Sequence, residues 1–239
     1  KREQMFYYAF RNFPKNHSLN IEITNEFPIG HGLGSSASFC SLIAAASLRA
    51  EGKEATRKSI FPLSVKLESF FHNNPSGLDP ATVVYGGCVI MNNRQIVTPS
   101  ITIPNIPLLI VDTNTSKSTL KAVNQVKFLS ESNPTVYKPM LRILGELSTL
   151  FCKSDNKEKT IETYFPVAQN ILSSLQLSTK EIDDIVYIAK NNGLVAKISG
   201  SGMGGIVLVS GKSLQDKISQ FSKYDVIHAE IGSEGICEE

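Results

Sequence analysis

Pro28-Ile29-Gly30-His31-Gly32-Leu33-Gly34-Ser35-Ser36-Ala37 is the stretch from which the rest of the chain is best read. Three glycines in five positions make a turn. Before it, residues 19–24 (Leu-Asn-Ile-Glu-Ile-Thr) alternate apolar and polar, which predicts a half-buried strand. After it, residues 35–49 are rich in Ala and Leu and predict a buried helix. Glycines at such a junction let the backbone turn tightly and approach a ligand closely. The first N–H groups of the helix lack internal partners, and the helix dipole adds partial positive charge. Together these features suit an anion, most naturally a phosphate. The hydroxyls of Ser35 and Ser36 lie where they can reach a phosphate oxygen or a metal. A plainer reading of the same residues is that Ser35 N-caps a core helix. The P-loop pattern has no match. Its nearest approach, Gly205 to Gly211-Lys212-Ser213, has one residue too many and an apolar strand as spacer.

The 239 residues are 41% hydrophobic and 19% charged, enough to bury a core without disulfides or metals and too apolar for a disordered tail. A formal charge of +2 gives no electrostatic case for nucleic acid or for a membrane surface. The longest apolar run, residues 37–48, is too short to span a bilayer, and residues 1–4 open no signal-peptide pattern. Cys40, Cys88, Cys152 and Cys237 are far apart with no C-x-x-C pair, so buried thiols in a cytoplasmic protein are expected. The four histidines are scattered, which argues against zinc.

Helical patterns follow at 60–71, with Pro62 expected in the first turn, and at 79–85, closed by Gly86-Gly87. Residues 88–91 and 95–97 read as a hairpin around Asn92-Asn93. A boundary near Pro104-Asn105 predicts one domain over 1–104 and a second over 105–239. Beyond it come a strand at 107–111, helices filling 119–151 and 157–175, and a helix after the capping box Ser178-x-x-Glu181 that ends at Asn191-Asn192-Gly193. Strands at 195–199 and 206–209, a helix at 212–221 and a strand at 225–231 complete the order. The class is α+β, with helices on one face of an antiparallel sheet.

The second glycine loop, Gly200-Ser201-Gly202-Met203-Gly204-Gly205, formally fits G-x-G-x-x-G, but a strand follows it, so the dinucleotide reading fails. Between two strands its glycines permit close approach to a ligand or to another loop, or simply a flexible connection. A third constellation pairs Glu68 with Asp79, eleven positions on, across the turn Asn73-Asn74-Pro75-Ser76-Gly77. Brought to one cleft, one carboxylate suits a magnesium ion and the other suits an attacking hydroxyl. Taken singly, either acid reads as a solvated surface charge.

Residues 28–37, Asn74-Pro75-Ser76-Gly77-Leu78-Asp79 with Tyr85-Gly86-Gly87, and residues 197–205, in this order, resemble the three segments of the GHMP small-molecule kinases. The central string is similar to that of the mevalonate kinase branch. The resemblance runs from about Leu19 to the C-terminus. It implies a two-domain GHMP kinase fold, with a ribosomal-protein-S5-domain-2-like N-terminal domain, a ferredoxin-like C-terminal domain and the site between them. It implies ATP-dependent phosphorylation of the 5-hydroxyl of mevalonate. By this match Gly30, His31, Gly32, Leu33, Gly34, Ser35 and Ser36 would cradle the triphosphate, and Ser36 and Glu68 would hold Mg²⁺. Asp79 would be the catalytic base or orient the hydroxyl. Ser76, Thr119, Gly200, Ser201 and Gly202 would face the substrate, and Lys117 would offer charge to its carboxylate. The expected partners are ATP and mevalonate, with a homodimer the assembly allowed for.

Two departures stand out. The family's N-terminal motif, which carries a lysine expected beside the catalytic aspartate, has no match in a chain that opens on Lys1. Ser201 and Met203 replace smaller residues of the family's third motif, and Met203 is expected to narrow the loop or alter the pocket. The span from Ser36 to Ser76 is also short, which points to additional family residues near 51–58. Phosphomevalonate kinase, homoserine kinase and a silent ligand sensor are the alternatives.

Overall fold

The computed structural model describes residues 1–15, 17–24, 33–72, 75–92, 95–101, 104–116 and 118–237. The chain divides into two compact units, Lys1–Thr102 together with Gly232–Glu239, and Ile103–Ile231.

The first unit packs α1 (Arg2–Ala9), α2 (Ser35–Ala50), α3 (Arg57–Glu68) and α4 (Leu78–Tyr85) beside a hairpin of β1 (Cys88–Asn92) and β2 (Gln95–Ile101). Ala37, Cys40, Ser41, Ala44 and Ser47 form the buried stripe of α2, and their small side chains let α3 and α4 approach closely. Met5, Cys40, Ile43, Ile60, Leu67 and Val84 make the core. Phe6 meets Phe39 edge-on at 6.0 Å and Phe39 meets Phe71 at 6.4 Å, which seals α1 onto α2.

Several expectations about this unit are corrected. Residues 19–24 form no strand. Nothing pairs with their backbone among the described residues, and residues 21–24 instead line a shallow apolar cavity with Leu42, Ile43 and Ala46 of α2. Helix α3 starts at Arg57, capped by the Thr56 side chain, so Pro62 lies in the second turn rather than the first. Residues 51–56 are a close α–α link: Gly52 takes φ +71° and the Lys53 amide donates to Leu48 O at 2.9 Å. The last residues return to this unit, a path that a 105–239 domain does not anticipate. The Gly87 amide donates to Ser233 O and the Ile236 amide to Val83 O, and Gly86 pairs with Glu234. A Cβ on Gly86 would lie 2.0 Å from the Gly235 nitrogen, so two glycines face each other where the segments cross.

The second unit is built on an antiparallel sheet in the order β4-β5-β3-β6, where β3 is Ile106–Asp112, β4 Val195–Ile198, β5 Ile206–Ser210 and β6 Asp225–Ile231. Leu109 pairs with Val209 on one side and His228 on the other, and Ala196 pairs with Val209. This is the strand order of a ferredoxin-like sheet, with α5 (Thr119–Ser132), α6 (Pro134–Lys153), α7 (Lys157–Ser174) and α8 (Lys180–Asn191) inserted between its first two strands. Ile182, Ile185 and Ala189 of α8 bury against Leu109, Ile198, Val207 and Val209.

Sequence details shift here too. Asn133 ends α5 and Pro134 starts α6, so the helical stretch over 119–151 breaks there. The cap of α8 is Thr179, whose side chain accepts from the Ile182 amide, while Ser178 donates to Asp183 instead. The expected helix over 212–221 is a 3₁₀ helix, Gln215–Phe221. Lys157, only 7% exposed, donates through Nζ to the carbonyls of Phe151, Cys152 and Ser154 and so closes the end of α6.

Candidate functional site

The first cluster forms where α2 begins, α3 ends and α4 begins. Gly34, not Ser35, is the N-cap of α2. It adopts φ +74°, a left-handed conformation that glycine enters without penalty. A glycine cap offers the helix no side-chain oxygen, and no acidic residue occupies the first turn to offset its positive pole. Leu33, Ser35 and Ser36 are partly exposed there. Gly30, His31 and Gly32 lie outside the described residues.

Glu68 is the last residue of α3 and 4% exposed. Burial first, and then the nearby Asp79 carboxylate, push its carboxyl up to about 7 against the opposing pull of a hydrogen bond from Ser36. Asp79 lies in the first turn of α4, exposed, at a helix pole that favours negative charge. Its turn is set by Gly77, at φ +81°, and by Ser76, whose Oγ accepts from the Leu78 amide at 3.2 Å. Thus Ser36, Glu68 and Asp79, spread over three helices, are brought together, and Ser76 acts on Asp79 through the backbone.

Two neighbours were not singled out from sequence. His72 Nε2 lies 3.4 Å from Ser36 Oγ, and its amide bonds Glu68 O. Its place four residues after Glu68 is the only signal that could have flagged it. Cys40, one turn along α2 from Ser36, has its thiol pushed up to about 12 by burial and by the Glu68 charge.

No ion pair reaches Glu68 or Asp79 among the described residues, where the salt bridges join Lys53 to Glu51, Lys127 to Glu131 and Arg142 to Glu146. Two carboxyls and a hydroxyl form a hard-oxygen donor set that fits magnesium. No group of three or more His, Cys, Asp or Glu that could hold a metal exists among the described residues. The fit is therefore to an ion that takes its other oxygens from phosphates and water, as magnesium does at nucleotide sites.

The second cluster lies in the other unit, at residues 200–205. Ser201 Oγ donates to Thr119 Oγ1 at 3.4 Å, so these two expected substrate residues meet; Lys117 lies outside the described residues. Gly200 and Gly202 both take left-handed conformations. The loop approaches other loops closely. A Cβ on Gly202 would lie 2.5 Å from Leu177 O, and one on Gly204 2.8 Å from Thr115 O. Thr113 Oγ1 donates to Gly205 O at 2.6 Å. Met203 packs against the apolar cluster of its own unit.

Among the described residues no helix is long and apolar enough to cross a membrane. Comparison with known proteins finds two family models in order along the chain. Residues 3–87 match the family described as GHMP kinases N terminal domain, and residues 140–223 match GHMP kinases C terminal. The mevalonate kinase of Thermococcus sibiricus is 29% identical over 213 residues, covering 86% of this chain and 63% of its own. That of Dictyostelium discoideum is 30% identical over 225 residues, covering 80% and 57%. The chain thus spans less than two thirds of the length of these relatives. The crystal structure of the Methanococcus jannaschii mevalonate kinase superposes with a TM-score of 0.75 at 24% identity, over 95% of this chain and 74% of that one. That likeness carries the fold, α+β in two domains. With both family models matched in order over more than half of its residues, the chain belongs to the GHMP kinase family.

Proposed function

We propose that this protein is an ATP-dependent kinase that phosphorylates the 5-hydroxyl of mevalonate, releasing ADP and 5-phosphomevalonate. The observation that carries the reading is the buried Glu68 carboxyl, tied to Ser36 and facing Asp79 near the start of α2, with no ion pair to it among the described residues. The acceptor is chosen because the relatives described above are mevalonate kinases and the two carboxylates have the separate environments that such a transfer needs.

The amides that open α2, with Gly34 shaping the approach, bind the phosphates of ATP. Ser36 and Glu68 are the residues that would hold magnesium, and the bound ion would supply positive charge against the phosphate oxygens. Holding it turns the cost of burying Glu68 into affinity for the nucleotide complex. Asp79 accepts a hydrogen bond, and then the proton, from the attacking hydroxyl, and its exposure leaves it open to an incoming acceptor. Ser76 keeps Asp79 on the first turn of α4. Thr119 and Ser201, with the fixed loop at 200–202, are assigned to the acceptor. Catalysis here is positioning plus charge neutralisation, since phosphoryl transfer asks little covalent chemistry of the protein. Residues 1–104 and 105–239 are the proposed working domains, with residues 232–239 returning to the first compact unit, and a cytoplasmic setting fits a chain in which Cys237 is exposed and no disulfide forms among the described residues.

The test is a side-by-side assay of mevalonate, phosphomevalonate and homoserine with ATP and magnesium, with ADP release and product mass as readouts. Turnover of mevalonate is expected. Turnover of another acceptor with none of mevalonate, or tight ATP binding with no ADP from any of them, would refute the proposal.

A further inference from the structure

The loop at 200–205 is left-handed at nearly every position: Gly200, Gly202, Met203, Gly204 and Gly205 all have positive φ. In such a run glycines are the ordinary residues, and they leave the chain many alternative paths. Met203 is the exception. It holds φ +57° with an L side chain, an uncommon state outside glycine. Three contacts accompany it. Its amide donates to Leu177 O at 2.7 Å, beside Gly202, where an added Cβ would lie 2.5 Å from the same carbonyl oxygen. Its side chain packs against the apolar cluster that contains Leu177, Ile198 and Val207. Two residues on, the Gly205 amide donates to Thr115 O at 2.9 Å and Gly205 O accepts from Thr113. The loop is therefore fastened on one side to the α7–α8 link and on the other to the end of β3, and Met203 supplies its one side-chain plug into the core.

We propose that Met203 is a positioning residue whose side chain anchors the glycine loop in a single conformation, so that the Ser201–Thr119 pair meets its ligand already arranged. The unbranched thioether suits this task, because it tolerates a crowded backbone and fills irregular space. An anchored loop gives up less freedom on binding, and a loop without the anchor binds only through the fraction of molecules in the competent form. The functional half of this inference rests on the reading of residues 200–202 as acceptor-binding; the anchoring itself does not.

The experiment compares Met203→Gly and Met203→Leu with the parent chain, by amide hydrogen exchange and by steady-state kinetics with mevalonate. Glycine accepts the left-handed backbone, so M203G loses the plug without a backbone penalty, and leucine keeps an apolar plug. In M203G the amides of 202–205 are expected to exchange at least ~10-fold faster, with α8 and the β3–β5 ladder unchanged. KM for the acceptor is expected to rise at least ~3-fold with kcat retained, because molecules in the competent form still react normally. M203L is expected to restore both. Parental exchange at 202–205 in M203G, or equal exchange in M203G and M203L, overturns the anchor. A fall in kcat at constant KM overturns the positioning role in favour of a purely structural one. A parent chain that turns over no mevalonate removes the kinase reading, and the exchange data then decide the anchor alone.

Discussion

Replacing Glu68 with glutamine should stabilise the first unit while disabling the site. The carboxyl takes up its proton at about 7 in the folded chain, against an ordinary 4.5. A group held more protonated in the folded state than in the unfolded one makes stability fall as pH rises between those two values. In magnesium-free solution the cost of ionised Glu68 is thus absent below about pH 4.5, grows through neutrality and levels off above about pH 7. At about 1.4 kcal/mol per unit, the full cost is about 3 kcal/mol at pH 8 and under about 1 kcal/mol at pH 5. Glutamine keeps the shape and the hydrogen bond from Ser36 but carries no charge. The gain from E68Q should therefore be about 2 kcal/mol larger at pH 8 than at pH 5. Exchange of α2 and α3 amides at the two pH values measures this on the first unit itself, apart from the stability of the second. Magnesium-dependent ADP release should collapse in the same variant. Equal gains at both pH values, or a loss at pH 8, would refute the account of Glu68 as a buried acid awaiting a cation.

Asp79→Asn should lower mevalonate turnover by at least ~10²-fold with ATP binding kept, measured by kinetics and nucleotide titration. It should also flatten the pH dependence just described, because Asp79 is the second cause of the Glu68 shift. Gly202→Ala should cost the second unit more than about 2 kcal/mol, since its Cβ would sit 2.5 Å from Leu177 O at φ +75°. Gly34→Ala, whose added carbon would meet nothing within 4 Å among the described residues, should cost about 1 kcal/mol from its φ alone; denaturant titration of both variants checks the contrast. Lys157→Met should cost the second unit roughly 1–3 kcal/mol and expose the end of α6 to exchange, because three carbonyls lose their donor.

What the sequence made legible was local. Gly34, Gly77 and the 200–205 run announce turns through conformations other residues avoid, and Glu68 and Asp79 flank a turn short enough to infer that they meet. Ser36 reaches Glu68 across 32 positions, and only the spatial packing of α2 on α3 brings them together. The alternation of residues 19–24 matched a strand in period, yet a strand also needs a backbone partner, and the same apolar residues found α2 instead. Ser178 and Thr179 are adjacent capping residues, and the choice between them depends on backbone angles that neither side chain encodes. The clasp of the glycine loop on Leu177 and Thr115 is a contact between backbones, for which side-chain patterns carry no sign.

The return of residues 233–236 to the end of α4 has a temporal consequence. During synthesis α4 leaves the ribosome some 150 residues before the segment that bonds Val83 O and pairs with Gly86. The second unit, continuous in sequence, can mature in the meantime, whereas the nascent first unit waits with that edge uncovered and open to chaperones. Final closure of the part that bears Ser36, Glu68 and Asp79 is thereby tied to passage of the polypeptide through its later half, a built-in order of maturation.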